Sequence, residues 1–173
     1  MEQDIRQEKK ELVIGCGRYR KKRIFVGDDD EYKNPTFLDW NEDVKPDIAW
    51  DLDDHPLPFK DNEFDEIHAY DVLEHIGTQG DWLSFFEEFS EYYRILKPDG
   101  FLLITAPKYD SLWAWSDPGH TRIISRGTFS FLDRAKYEEE TQMTDYRQWW
   151  KGNFRLINDL SGDSGAYILM AVK

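Results

Sequence analysis

The sequence is poor in cysteine and in long apolar runs. Cys16 is the one cysteine among 173 residues, so an internal disulfide is excluded. The spacing of cysteine and histidine matches no zinc-binding pattern. No run approaches the roughly 20 apolar residues of a membrane-spanning helix, and the first residues, MEQDIRQEKKELVI, lack the apolar segment of a signal peptide. We therefore expect one cytoplasmic domain over residues 1–173, with no membrane partner.

Positive charge is also scarce. The chain has 22 lysine and arginine residues against 35 aspartate and glutamate residues, which gives a net charge of −13. Non-specific binding to nucleic acid depends on basic residues that neutralise phosphates, so this balance argues against a nucleic-acid partner. The only dense basic cluster, Arg18 to Arg23, is expected to be a solvated loop.

Several short, uniformly apolar runs are typical of strands in a sheet that is covered on both faces. They are Leu12–Ile14, Thr36–Leu38, Ile48–Trp50, Phe64–Ala69 and Phe101–Thr105. Between Gly80 and Leu96, apolar residues recur at steps of three and four, which predicts an amphipathic helix. The helix should end before Pro98, and Gly100 should take a left-handed backbone conformation ahead of the next strand.

The C-terminal part has a different pattern. The segments NFRLINDL and AYILMAVK flank Ser161 to Gly165, whose small residues suit a tight reversal. This predicts a closing antiparallel hairpin. The preceding order of strand, helix, turn and strand favours a parallel crossover. The predicted fold class is therefore α/β, with a mostly parallel sheet that ends in an antiparallel hairpin.

Four segments in chain order resemble the class I S-adenosylmethionine-dependent methyltransferases. They are ELVIGCG, FLDW, LPFKDNEFDEIHAYDVLEHI and LKPDGFLLITAPK, and they are similar to the methyltransferase-11-like branch from Leu12 to about Lys108. The resemblance implies a Rossmann-like, doubly wound, seven-stranded sheet and S-adenosyl-L-methionine as the cofactor. The third glycine of G-x-G-x-x-G is missing, and the segment Arg18–Tyr32 is basic and then acidic. We therefore expect a loop or a reduced first helix there.

The resemblance places the first cofactor contacts after the first two strands. Gly15, Cys16 and Gly17 would form the turn beneath the methionine part of the cofactor, because glycines allow the backbone to approach closely. Asp39, about 20 residues further on, would accept hydrogen bonds from the ribose hydroxyls. The cofactor's carboxylate would meet Arg18 or a lysine of the same basic cluster.

The remaining cofactor contacts follow the third and fourth strands. By the same resemblance, Asp51 would accept from the adenine amino group and the backbone of Leu52 would face the ring. Asp53 and Asp54 leave open which acid performs this role. Asp71 would lie beside the cofactor and the site of methyl transfer.

Methyl transfer from a sulfonium is an in-line displacement, so alignment of the acceptor supplies much of the rate and a general base is optional. His120, in the segment after the fifth strand, is predicted to act as the base or as a hydrogen-bond partner of the acceptor, and Trp113 and Arg122 are predicted to contact it. His75 is a second catalytic candidate, although a structural role is also open. His68 lies within a strand and is expected in the core.

A metal site is an alternative to these roles. Glu74, His75 and His120 could be drawn as ligands, but the sequence fixes no distances among them, and no metal is predicted. The Trp149–Trp150 pair is expected to lie on a helix face that packs on the sheet.

The predicted function is methyl transfer from S-adenosylmethionine to a small-molecule, sugar-like or nucleotide-derived acceptor. The missing glycine and the shortened first helix leave open a noncatalytic methyltransferase-fold binding or partner subunit. A nucleic-acid methyltransferase is the second alternative, but AYDV stands where a DPPY or NPPF segment would follow the fourth strand. Little chain is left for a lid over the acceptor, and a homodimer that completes one is a further hypothesis.

Overall fold

The computed structural model describes residues 8–140 and 142–173, and this part of the chain forms one seven-stranded sheet. The strand order is β3-β2-β1-β4-β5-β7-β6. Strands β1 to β5 are parallel, while β7 is antiparallel to both β5 and β6. The predicted α/β sheet with a C-terminal antiparallel hairpin is confirmed. The strands are β1 Glu11–Ile14, β2 Pro35–Asp39, β3 Ile48–Ala49, β4 Phe64–Tyr70, β5 Leu96–Ala106, β6 Phe154–Asp159 and β7 Gly165–Ala171.

One long helix, α1 (Trp82–Ile95), connects β4 to β5, close to its predicted position. The side chain of Asp81 caps it by accepting a hydrogen bond from the backbone N–H of Ser84, at 3.2 Å. Three short helices follow β5: α2 Leu112–Ser116, α3 Arg126–Ser130 and α4 Lys136–Glu139. Single 3-10 turns cover Glu42–Val44 and Leu73–His75. Across the described residues, every helix is too short or too polar to cross a membrane.

The main core lies between the sheet and α1. Because side chains alternate along a strand, Leu12 and Ile14 of β1 face this core, where they join Phe86, Phe89 and other buried residues. Trp150 is fully buried in the same core, stacked on Phe154, with its ring N–H donating to the Leu132 carbonyl at 2.9 Å. The Trp149–Trp150 pair lies in a turn rather than on the predicted helix.

The opposite face of the sheet is covered by the loop that follows β1. Residues 18–32 contain no helix, which confirms that the first helix is absent. The prediction of a solvated loop holds for Arg18, Lys21 and Arg23, which are exposed. It is wrong for Lys22, which is buried and whose Nζ donates to Glu11 Oε1 at 2.7 Å and Glu66 Oε2 at 3.1 Å. His68, also buried, lies beside them with its Nε2 3.2 Å from Glu66 Oε2, so the expected core position of His68 is confirmed. A buried polar cluster thus fixes this loop in place of an amphipathic helix.

The turn that leads into β5 differs from its predicted form. Asp99 takes the left-handed conformation, with φ of 59°, and Gly100 does not. A β-carbon on Gly100 would lie 3.0 Å from the Lys97 carbonyl oxygen and 3.1 Å from that of Asp65. Glycine is therefore required there by the close approach of two backbone segments rather than by a positive φ.

Candidate active site

A cleft of about 580 Å³ lies at the carboxyl ends of β1, β2 and β3. The strand order reverses between β1 and β4, and open α/β sheets bind ligands at such a switch point. The volume is in the range of cofactor pockets. The cleft is lined by Gly15, Asp39, Trp40, Trp50, Asp51, Leu52, Asp53, Val72, His75 and Ile76.

The turn after β1 forms one wall of this cleft. Gly15 and Gly17 have φ of 55° and 52°, and a β-carbon on Gly15 would lie 2.4 Å from Val72 Cγ2. The carboxylate of Asp39 stabilises the turn, because Oδ2 accepts from the Gly17 N–H at 2.8 Å. Cys16 is buried and does not line the cleft; burial raises the pKa of its thiol.

The loop after β3 brings two acids to the same cleft. Asp51 and Asp53 both line it, and Asp51 Oδ1 accepts from the Asp53 N–H at 3.0 Å. Leu52 between them is buried. Asp54 is not among the lining residues, so two of the three acids predicted as candidates for the adenine contact line this cleft.

Asp71 is held differently from the other predicted acids. It follows β4 with a φ of 55°, and its Oδ1 accepts from the Thr105 hydroxyl at 2.9 Å. Its Oδ2 forms an ion pair with Arg23. Asp71 does not line the cleft, whereas Val72 and His75 do. Arg23 was not singled out from the sequence, since only the folded loop brings it beside Asp71.

A second cleft, of about 520 Å³, is formed by the segment after β5. His120, Tyr109 and Trp115 line it, and both aromatic residues are largely exposed. Arg122 also borders it, but this side chain is buried and donates to Glu88 Oε2 at 2.9 Å. The predicted acceptor residue Trp113 is exposed and is not among the lining residues.

His75 and His120 connect the two clefts. His75 lines the first cleft, His120 lines the second, and their ring centroids are 4.7 Å apart. His75 Nδ1 donates to the Gly119 carbonyl at 3.0 Å, and His120 Nε2 lies 3.8 Å from Asp117 Oδ2. The structure thus brings together the two histidines that the sequence could only name separately.

Glu74 lies beneath this histidine pair. Its backbone carbonyl accepts from the N–H groups of Thr121 and Arg122, at 2.9 and 3.2 Å, which ties the segment after β5 to the end of β4. The residue is 2% exposed, and burial raises the pKa of its carboxyl to about 7. Among the described residues, neither carboxyl oxygen has a hydrogen-bond partner.

Comparisons with known proteins agree with this architecture. A family model described as a methyltransferase domain matches residues 34–104. An S-adenosylmethionine-dependent methyltransferase from Archaeoglobus fulgidus is 18% identical, with 95% of this chain and 86% of that chain covered and a TM-score of 0.59. The chain has the class I methyltransferase fold. The resemblance drawn from the four sequence segments is confirmed. No curated protein matches the sequence.

Two further solved structures have the same fold. The N-methyltransferase NodS from Bradyrhizobium japonicum WM9, in complex with S-adenosylhomocysteine, is 14% identical, with 96% of this chain and 79% of that chain covered and a TM-score of 0.58. The other is a chain of the complex that contains the Haloferax volcanii Trm112 methyltransferase activator. It is 12% identical, with 95% of this chain and 83% of that chain covered and a TM-score of 0.60.

Proposed function

We propose that this chain is a methyltransferase that binds S-adenosylmethionine in the cleft at the ends of β1, β2 and β3. The observation that carries the proposal is the convergence of Gly15, Asp39, Asp51 and Leu52 on one cleft, from three strand ends. The methyltransferase family match and the solved neighbour with bound S-adenosylhomocysteine support the same cofactor.

The contacts of Asp39 are compatible with a role at the ribose. Its two oxygens accept one backbone hydrogen bond each, from Gly17 and Asn41, at 2.8 and 2.9 Å. A carboxylate has about four acceptor sites, so about two are left for ribose hydroxyls. Asp51 or Asp53 would accept from the adenine amino group, with Leu52 against the ring.

The methionine end of the cofactor needs a different arrangement from a helix N-terminus. No helix follows β1 in residues 18–32, so backbone N–H groups aligned by a helix are missing at this point. Arg18 and Lys21 are exposed, whereas Arg20, Lys22 and Arg23 are engaged with other groups of the protein. Of the two exposed residues, Arg18 directly follows the glycine turn. Arg18 is therefore the preferred partner for the cofactor's carboxylate.

The acceptor would enter through the second cleft. Exposed Tyr109 and Trp115 offer aromatic surface there, and the volume of about 520 Å³ suits a small molecule. Glu74, His75 and His120 lie where the acceptor would approach the cofactor, and this is where an oxygen or nitrogen acceptor would lose its proton as the methyl group is transferred. The net charge of −13 disfavours a polyanionic acceptor.

Calorimetric titration with S-adenosylmethionine and S-adenosylhomocysteine tests the cofactor site. Asp39→Asn keeps an oxygen for the Gly17 N–H but removes the charge, and it should weaken binding by about 10- to 100-fold, as expected for loss of a charge-assisted hydrogen bond. Asp43→Asn, at an exposed acid of the nearby 3-10 turn, is the matched control and should bind like the unaltered chain.

The outcomes separate the hypotheses. No binding of either ligand by folded protein, or equal binding by both variants, would contradict the proposed cofactor site. Binding of both ligands without loss of the labelled methyl group to any component of a metabolite extract would favour the noncatalytic alternative.

A further inference from the structure

We propose that Glu74, His75 and His120 bind a divalent transition-metal ion of the zinc type between the two clefts. One ligand atom from each residue lies within 4.8 Å of the other two. Two imidazoles and one carboxylate suit zinc, cobalt or nickel, whereas magnesium and calcium prefer oxygen ligands throughout. This site does not depend on the proposed methyltransferase activity.

The atoms that would face the ion have no other partner within the described part of the chain. Both carboxyl oxygens of Glu74 and Nδ1 of His120 are buried and make no hydrogen bond there. Buried polar side-chain atoms are satisfied in the large majority of cases, because an unpaired one costs the full desolvation penalty. A bound cation would give all three atoms a partner.

The other ring nitrogens are already oriented for metal binding. His75 Nδ1 donates to the Gly119 carbonyl at 3.0 Å, which leaves the lone pair of its Nε2 free. His120 Nε2 lies 3.8 Å from Asp117 Oδ2, and Asp117 Oδ1 is held by the Gly119 N–H at 2.8 Å. Backbone carbonyls and carboxylates commonly orient metal-binding histidines in this way.

A second group of similar composition shows that proximity of ligand atoms alone does not indicate a cation site. Glu11, Glu66 and His68 also place three ligand atoms within 4.8 Å of one another. That group already contains a cation, because Lys22 Nζ lies 2.7 and 3.1 Å from the two carboxylates. No lysine or arginine forms an ion pair with Glu74 among the described residues, so no positive charge of the protein competes with a bound cation there.

The position of the site gives the ion a role that rests on the proposed function. His75 is exposed and lines the cofactor cleft, while His120 lines the second cleft. An ion held between them would reach an acceptor oxygen and lower the pKa of that group, so that its proton leaves more readily. Both imidazoles would then serve as ligands rather than as free bases.

Cobalt alone is the probe for the test. The purified full chain, freed of metal with a chelator, is titrated with Co²⁺ while the visible absorption is followed, and Zn²⁺ is then added in competition. We expect about one Co²⁺ per chain and displacement by Zn²⁺. Glu74→Gln and His120→Gln should each weaken Co²⁺ binding by more than about 100-fold, while Asp117→Asn should weaken it by about 10- to 100-fold.

His55→Gln is the matched control, since His55 is exposed in a loop and belongs to neither group. It should bind Co²⁺ like the unaltered chain. A second measurement needs no variant: proton spectra of the Co²⁺-bound chain should show two strongly shifted, exchangeable imidazole N–H signals, from His75 and His120. Absence of Co²⁺ uptake by folded protein, or uptake without these shifted signals, would overturn the proposal, as would equal uptake by all variants.

Discussion

The buried Lys22 provides the most direct test of how the loop after β1 is held. Its Nζ lies 2.7 Å from Glu11 Oε1 and 3.1 Å from Glu66 Oε2, and all three side chains are at most 1% exposed. Lys22→Met preserves much of the volume but removes the cation between two buried carboxylates. Breaking a buried ion pair in this way destabilises a protein by about 3–5 kcal/mol. We expect that loss in the free energy of unfolding at pH 7.

The measurement is urea denaturation followed by tryptophan fluorescence. Lys21→Met is the matched control, because Lys21 is the adjacent residue and is exposed, and it should change the free energy of unfolding by no more than about 0.5 kcal/mol. Adding Glu11→Gln to Lys22→Met should restore part of the stability. Glu66 would still be compensated by Lys9, whose Nζ is 2.6 Å away.

The result that would refute this reasoning is a loss below about 1 kcal/mol for Lys22→Met, which is the range of exposed ion pairs. A double variant no more stable than Lys22→Met would also count against it, because the cost is assigned to the uncompensated Glu11 carboxylate.

Two further predictions concern the same region. Burial raises the pKa of the Glu11 carboxyl, but the nearby His68 ring and the hydrogen bonds from Lys22 Nζ and the Lys33 N–H outweigh it and hold that pKa well below its ordinary range. The resulting stabilisation is present above the unfolded pKa of about 4.3 and is lost as pH falls below it, so denaturation curves of Glu11→Gln and the unaltered chain should converge in acid. Gly15→Ala should be more destabilising than Gly17→Ala: both carry the cost of about 1–2 kcal/mol for a positive φ, but only Gly15 meets Val72, at 2.4 Å. If thermal denaturation shows the same decrease in melting temperature for both variants, Val72 moves aside freely and the reasoning is wrong.

The sheet was predictable because its signal is local. Apolar runs such as Phe64–Ala69 correspond to strands within a few residues, and the three- and four-residue steps after Gly80 correspond to α1. The loop after β1 was only half predictable. Its lack of helix followed from its composition, but burial of Lys22 depends on Glu66, which lies 44 residues further along the chain. From sequence alone, a basic run is predicted to be exposed, because an ion pair with an acid that is distant in the chain cannot be foreseen.

The two clefts of the candidate site also differ in how far the sequence predicts them. Asp39 is the last residue of β2 and pairs with Ala49 of β3, and Asp51 lies two residues after Ala49, so strand register brings both acids to one cleft. The segment that carries His120 has no strand of its own, and its place is set by backbone hydrogen bonds from Thr121 and Arg122 to the carbonyl of Glu74. No periodicity in the sequence indicates such a contact, which is why the proposed cofactor cleft could be outlined from the sequence and the proposed acceptor cleft could not.

The hydrogen bonds from Thr121 and Arg122 to the Glu74 carbonyl also bear on the buried Glu74 carboxylate beside the second cleft. Glu74 holds the segment after β5 through its backbone carbonyl, so its side chain takes no part in this attachment. An unpartnered carboxyl at 2% exposure costs stability that an apolar residue would not. Retaining glutamate there is physically reasonable if the side chain gains a partner in the working protein. Two partners fit a carboxylate beside the ring nitrogens of His75 and His120: a proton-bearing group of the acceptor, or a metal ion. The Co²⁺ titration distinguishes these two cases, because only the second gives uptake of metal when no acceptor is present.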